Sequence, residues 1–176
     1  MQSQALALEG LRLLRTEPAR DTRGAFSRLW CAQDFESAGL AFQPVQASLS
    51  SNPHEGTLRG LHFQAEPHGE TKLLQVLRGR IFDVVVDVRA ASPRFGAWVG
   101  RELTAGEGLL IPPGLAHGFL TLTPDVELLY MMDRPFVAQA ARGLRYDDPA
   151  LALPWPGTPQ LIGARDRTWP GLHDLG

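Results

Sequence analysis

From residue 56 onward the chain breaks into seven short runs of mostly apolar residues, each closed by a turn signal. They read GTLRGLHFQ, TKLLQVLRG, RIFDVVVDVR, AWVGREL, GLLIPPG, HGFLTLT and VELLYMM. Runs this short, rich in β-branched and aromatic residues and separated by RG, SPRFG, TAGEG and TPD, predict strands rather than helices. In RIFDVVVDVR the alternation puts Phe82, Val84, Val86 and Val88 on one face and Asp83, Val85 and Asp87 on the other. Only AQDFESAG, residues 32 to 39 and stopped by Gly39, predicts a helix in the middle of the chain. Many short strands in succession with little helix close into an antiparallel barrel or sandwich, so the expected class is all-β.

With 176 residues the chain suits one core, and a single domain over 1–176 is expected. The Pro-rich stretch DDPALALPWPGTP reads as an extended strap over the barrel, and the whole tail from about 147 to 176 is expected to pack there. A formal net charge of −2 gives no general attraction to nucleic acid or to an anionic membrane. One cysteine, Cys31, excludes a disulfide framework or a cysteine-built zinc site within one chain. MQSQALALEG lacks the basic-then-apolar pattern of an export signal, and no apolar run approaches the roughly 18 residues of a membrane span. A cytoplasmic location is the expectation.

Several common chemistries lack their residues. GEGLLI, from Gly106, is a broken echo of a dinucleotide loop without the strand-turn-helix such a loop needs. Neither a Walker-type loop nor a G-x-S-x-G elbow occurs. Side chains or a metal must therefore do the work. The stretch Pro112 to His117 spells P-x-G-x-x-H, which matches the second metal-binding segment of many cupin barrels. The first such segment needs H-x-H, and here the strand reads His62-Phe63-Gln64. Glutamine is a poor ligand for transition metals, so no metal site is expected.

Proton transfer without a metal is the other option. GTLRGLHFQ is followed in order by KLLQVLRGRIFDVVVDVR, SPRFG with Trp98 after it, IPPGLAHGFL, ELLY, and RGLRYDDPAL with a later WP. This ordered set resembles the dTDP-4-dehydrorhamnose 3,5-epimerase family over about residues 20 to 170. The resemblance implies a cupin-type jelly-roll barrel, a homodimer, no cofactor, and a nucleotide-diphosphate 4-keto-6-deoxy sugar as substrate. A ketone at C4 acidifies the hydrogens on C3 and C5. Removing one gives an enolate, and a proton returned to the opposite face inverts the centre.

The resemblance also assigns roles. His62 would be the base, since imidazole titrates near neutral pH. Asp166 would hold its tautomer and stabilise the imidazolium, and Tyr130 would be the acid. Arg59 and Lys72 are the candidate cations for the C4 oxyanion and the phosphates. His117 would line the same cavity, and Gln46 and Phe136 would also meet the substrate. Arg23 and Phe26 would reach a site across the dimer interface, so the segment from about 1 to 45 is expected to contribute to the dimer. One conflict stands out. Strict alternation puts Arg59 and His62 on opposite faces of a strand, unless Gly60 marks a bulge that re-aims one of them.

The chain departs from the family pattern around the pocket. Arg28 stands where the family commonly has Glu, and Ser48 where it has Asn. Pro135-Phe136 replaces a pair of tyrosines. These changes bear on substrate selection and leave the proposed base, carboxylate and acid in place. A metal-dependent cupin enzyme and an inactive nucleotide-sugar-binding barrel are the rival readings.

Overall fold

Each of the seven runs becomes a strand, and seven further strands join them, in the computed structural model, which describes residues 1–175. In chain order, β1 (Gln2–Ala5), β2 (Arg12–Arg15), β3 (Ala19–Asp21) and β4 (Gly24–Phe26) precede a helix, α1 (Ala32–Ser37). After it come β5 (Gln46–Asn52), β6 (Thr57–Gln64), β7 (Lys72–Arg78), β8 (Arg80–Asp87) and β9 (Trp98–Thr104). Then follow β10 (Glu107–Ile111), β11 (Leu115–Thr121), β12 (Val126–Met132), β13 (Ala141–Gly143) and β14 (Leu161–Ile162). The helix begins where the sequence places it and ends at Ser37. Gly39 then turns the chain at φ +69, a left-handed conformation that suits glycine.

One sheet runs β1-β2-β10-β7-β12-β5, and the second runs β13-β6-β11-β8-β9 with β14 added alongside β6. Strands β3 and β4 form a separate hairpin. All pairings are antiparallel except that of β14 with β6. The sheets pack face to face. Leu13, Leu74, Val76, Leu109 and Leu128 from the first meet Ile81, Val85, Leu103, Leu115 and Phe119 from the second in the main core. This is the all-β class that the strand pattern predicts, in the jelly-roll form that the family resemblance implies. Full burial of each such side chain contributes about 1.5–3 kcal/mol.

The alternation in β8 is realised as read. Val85 faces the main core, while Val84 and Val86, with Phe82 and Val88 beside them, pack outward. Against that outer face lie Leu144, Leu151 and Leu172, with Tyr146, Leu153 and Trp155. Helix α1 covers the outer face of the first sheet, where Phe35 and Phe42 meet Leu14, Leu73 and Leu110. No helix among the described residues is long and apolar enough to cross a membrane.

Two acids of β8 point inward and each finds a partner. Asp87 is fully buried, takes two bonds from the Arg89 guanidinium at 2.9 and 2.6 Å, and accepts the Ser92 hydroxyl at 2.7 Å. Burial pushes the Asp87 carboxyl up, but Arg89 and Ser92 outweigh it and hold it below the usual carboxylate range. A carboxyl depressed in the folded state adds stability above its unfolded value of about 3.9, and that stability is lost as pH falls through the folded value. The melting temperature should therefore drop on acidification below about pH 4, and Asp87→Asn should flatten that acid limb in a series of thermal melts. An unchanged acid limb in the variant would contradict this account.

Candidate active site

Moving along β7 and β12 towards one end of the barrel, the inward positions change from apolar to polar. On β7, Val76 and Leu74 lie in the core and Lys72 follows them. On β12, Val126 and Leu128 are core residues and Tyr130 comes next. On β11 the inward residues are Leu115, His117 and Phe119, and the polar member lies between two core residues. Lys72, Tyr130, His117 and Phe119 line a cavity of about 300 Å³ at that end. A space of this size takes a sugar ring and stays open to solvent on one side.

Strand β6 supplies the remaining polar wall through an irregularity. His62 pairs with His117 across the ladder, but Arg59 pairs with Phe119, so three steps on β6 match two on β11. The extra residue lies at Gly60 or Leu61, and Gly60 adopts φ +122. This bulge resolves the conflict of alternation, because Arg59 and His62 both line the cavity. Asn52 on β5 holds Arg59 by accepting its Nε–H at 2.8 Å.

His62 Nε2 lies 2.6 Å from Asp166 Oδ1. Asp166 sits on a short 3-10 turn, Arg165–Arg167, and is buried. Its Oδ2 accepts the Gly60 N–H at 3.2 Å, and its Oδ1 also accepts the Trp169 indole N–H at 3.2 Å. Burial pushes the Asp166 carboxyl up, but His62, Gly60 and Trp169 together hold it below its ordinary value. With the carboxylate charged, His62 donates from Nε2 and keeps its lone pair on Nδ1. That is the form a base requires.

A second imidazole-carboxylate pair lies deeper. His117 Nε2 is 2.7 Å from Asp83 Oδ2, and both residues are buried. The His117 ring stands edge-on to Tyr130 with centroids 6.0 Å apart. Burial pushes the Tyr130 phenol well up, the charge of Asp83 adds to the rise, and Arg59 opposes it. Lys72 is a buried cation. Its Nζ lies 3.1 Å from Glu70 Oε1 and donates to the His62 carbonyl at 3.2 Å. Burial pushes its ammonium down while Glu70 pushes it back up.

Phe136 is exposed at the cavity rim, and its backbone N–H donates to Gln46 Oε1 at 2.9 Å. Gln64, the residue in the H-x-H position, accepts the Val137 N–H at 2.6 Å and donates to Glu70. It ties the segment carrying Phe136 to the cavity wall. Among the described residues no group of three or more His, Cys, Asp or Glu side chains is placed to hold a metal ion. Arg23 and Phe26 are not brought to the cavity within one chain. They lie on the exposed β3–β4 hairpin, where Arg23 pairs with Asp21 and Phe26 is 76% exposed. Arg28 stands 3.6 Å from Asp34 of α1, and Ser48 lies opposite Tyr130 in the ladder of β5 and β12.

A family model described as dTDP-4-dehydrorhamnose 3,5-epimerase matches residues 5–174. The chain belongs to the dTDP-4-dehydrorhamnose 3,5-epimerase family. A 3,5-epimerase of that name from Sinorhizobium fredii is 40% identical over 182 residues, covering 99% of this chain and 91% of the relative. The crystal structure of a dTDP-6-deoxy-D-glucose-3,5-epimerase from Legionella pneumophila, in complex with dTDP-4-keto-L-rhamnose, superposes with a TM-score of 0.93. It is 31% identical and the match covers 99% of this chain and 94% of that one. A dTDP-4-dehydrorhamnose 3-epimerase from Streptomyces niveus is 34% identical over 171 residues, 95% of this chain and 82% of the relative.

Several residues that support the polar lining of the cavity went unread in the sequence. Asp83, Glu70, Asn52, Arg165 and Trp169 all touch the cavity or a residue that lines it. One signal was available for Asp83. An acid on the core-facing side of an apolar strand needs a buried partner, and His117 on the neighbouring strand was the nearest candidate.

Proposed function

We propose that this chain inverts C3 and C5 of a dTDP-linked 4-keto-6-deoxy sugar by removing and returning protons through an enolate. The observation that carries the reading is one cavity holding an imidazole backed by a charged, buried carboxylate together with a half-buried phenol. His62 takes the proton from carbon at Nδ1, and Asp166 stabilises the imidazolium that results. The electrons of the broken C–H bond pass to the C4 oxygen, where Lys72 and Arg59 offset the new negative charge. Tyr130 then protonates the carbanion from the other face. A phenol is protonated at neutral pH, burial pushes its pKa further up, and Arg59 stabilises the phenolate left behind. The bond broken and the bond formed are both C–H, so no electrons are gained or lost and the chemistry needs no redox cofactor.

We also infer a cytoplasmic homodimer in which residues of about 1 to 45 serve the partner. The supporting features are the exposed β3–β4 hairpin and the outer edge of β5, unpaired within the chain and carrying exposed Leu49 beside Val45. Arg23 and Phe26 would then complete the neighbouring cavity. The tail from about 147 to 176 would act as a cover for the second sheet within the same domain.

The direct test is turnover of dTDP-4-dehydro-6-deoxyglucose in deuterated water. Deuterium is expected at both C3 and C5 of the product, read by NMR. Label at C3 alone would establish single inversion, as in the name of the Streptomyces niveus relative. A sugar recovered with no label at either carbon would overturn the proton-transfer reading.

A further inference from the structure

The reaction as derived gives Trp169 no task, although its indole touches the proposed base and its carboxylate. Its Nε1–H donates to Asp166 Oδ1, the same oxygen that His62 engages. The Asp166 Oδ2 atom takes the Gly60 N–H. The ring stands edge-on to the His62 imidazole, with centroids 6.2 Å apart and planes at 71°. Below the indole lies Gly143 of β13, the residue paired with His62 across the β6 ladder. A Cβ at Gly143 would fall among the indole atoms, so the strand beside the base lacks a side chain where the indole needs the space. The Arg165 guanidinium covers the ring, 4.6 Å from its centroid.

These contacts address a specific weakness. Asp166 rides on a single 3-10 turn with exposed residues on both sides, and from there it must orient an imidazole that is itself half-exposed. Without the indole, one oxygen of the carboxylate would answer to His62 alone, and the group could pivot about its χ2 bond. The indole N–H adds a donor from a different direction, and its packing on Gly143 anchors the turn to the barrel. The titratable group that faces the carboxylate is His62 from β6, while the Arg165 guanidinium of the turn lies over the Trp169 ring.

We propose that Trp169 is a positioning residue, whose indole N–H fixes the Asp166 carboxylate so that His62 presents its lone pair to the sugar. The proposal rests on the His62–Asp166 reading above and adds a residue through which that pair is held.

The test uses two variants of the full chain. Trp169→Phe keeps an aromatic ring and removes the donor. Benzothienylalanine placed at position 169 keeps the shape of the indole and replaces only its N–H by sulphur. Both are measured for kcat, KM and solvent-deuterium exchange with the dTDP-linked 4-keto sugar, alone and in an Asp166→Ala background. Each is expected to lower kcat about tenfold, as for loss of one hydrogen bond to a charged group, with KM held within about twofold. In the Asp166→Ala background the indole changes should have no further effect, because they act through the missing carboxylate. Unchanged kcat, a rise in KM without loss of kcat, or an equal loss in both backgrounds would each overturn the proposal. If Trp169→Phe fails to fold, the sulphur variant decides alone. Wild-type exchange in Asp166→Ala by itself would overturn the dyad reading. A loss there, with none in the indole variants, would overturn the Trp169 proposal only.

Discussion

Replacing His62 by alanine is expected to slow hydrogen exchange at C3 and C5 of the sugar by about 10²- to 10⁴-fold, the range for one positioned base. The expectation follows from what remains in the variant. Lys72 and Arg59 still face the cavity and still stabilise charge on the ketone oxygen, so catalysis above the level of bulk water persists. The other imidazole–carboxylate pair lining the cavity, His117 with Asp83, is buried deeper and does not stand where His62 does. KM should change little, because the imidazole meets a C–H bond and the phosphates and base of the nucleotide supply most of the binding. Stability should also hold. The side chain is nearly half-exposed, and Asp166 keeps its bonds to Gly60 and Trp169. Exchange followed by NMR in deuterated water, with a thermal melt as control, separates a lost base from a lost fold. A folded variant that exchanges at the native rate would show that the base lies elsewhere.

How much of this was legible in the sequence depends on the range of the interaction involved. The seven central strands were legible because period-two patterning and β-branched residues are local signals. Strands β3, β4 and β5 were not, since they are short, exposed or polar, and the first two pair only with each other. Strand β5 in particular reads QASLSSN, and it is a strand because β12 offers a full register of partners from Gln46 to Asn52. The residues proposed as base, acid and cations came from an ordered set of motifs, and the fold brings them to one cavity. Their supports did not come from motifs, because they are set by cross-strand register. Glu70 and Gln64 meet across a turn, Asn52 reaches Arg59 from the other sheet, and Trp169 packs on a glycine 26 positions earlier in the chain. Nothing local to RDRTWP announces that its tryptophan will complete a carboxylate. The departures from the family pattern have a similar character. Phe136 is held at the cavity rim by Gln46, and Ser48 is exposed opposite the cavity residue Tyr130 in the ladder, whereas Arg28 faces Asp34 of the helix that covers the first sheet. Selection of the nucleotide sugar is therefore more open to the first two within one chain.

The position where fold and chemistry depend most on a single atom is Gly60, and Gly60→Ala is expected to lower stability by about 3–5 kcal/mol. Two costs combine. The residue holds φ at +122, a region that residues with a Cβ rarely enter, and such strain is worth about 1–3 kcal/mol. A Cβ there would also stand 2.5 Å from the Gly118 Cα and 2.8 Å from the His117 carbonyl oxygen, and overpacking of this kind adds about 1–3 kcal/mol. Neither obstacle is a flexible side chain that can turn aside, for both are backbone of the central strand β11. Gly118 faces Gly60 for the same reason, so the two strands approach with no side chain between them. Against a typical total of about 5–15 kcal/mol, the loss would be large. Urea denaturation should show a fall in midpoint with the slope preserved. Activity should suffer beyond the loss of folded protein. The bulge at Gly60 is what turns Arg59 into the cavity that holds His62, and the Gly60 N–H is one of the donors fixing Asp166. Any relief of the clash moves β6 away from β11 and disturbs both. Exchange per folded molecule should therefore fall together with stability. An alanine variant as stable as the native chain would mean that the close approach of β6 and β11 does not set the geometry of the site.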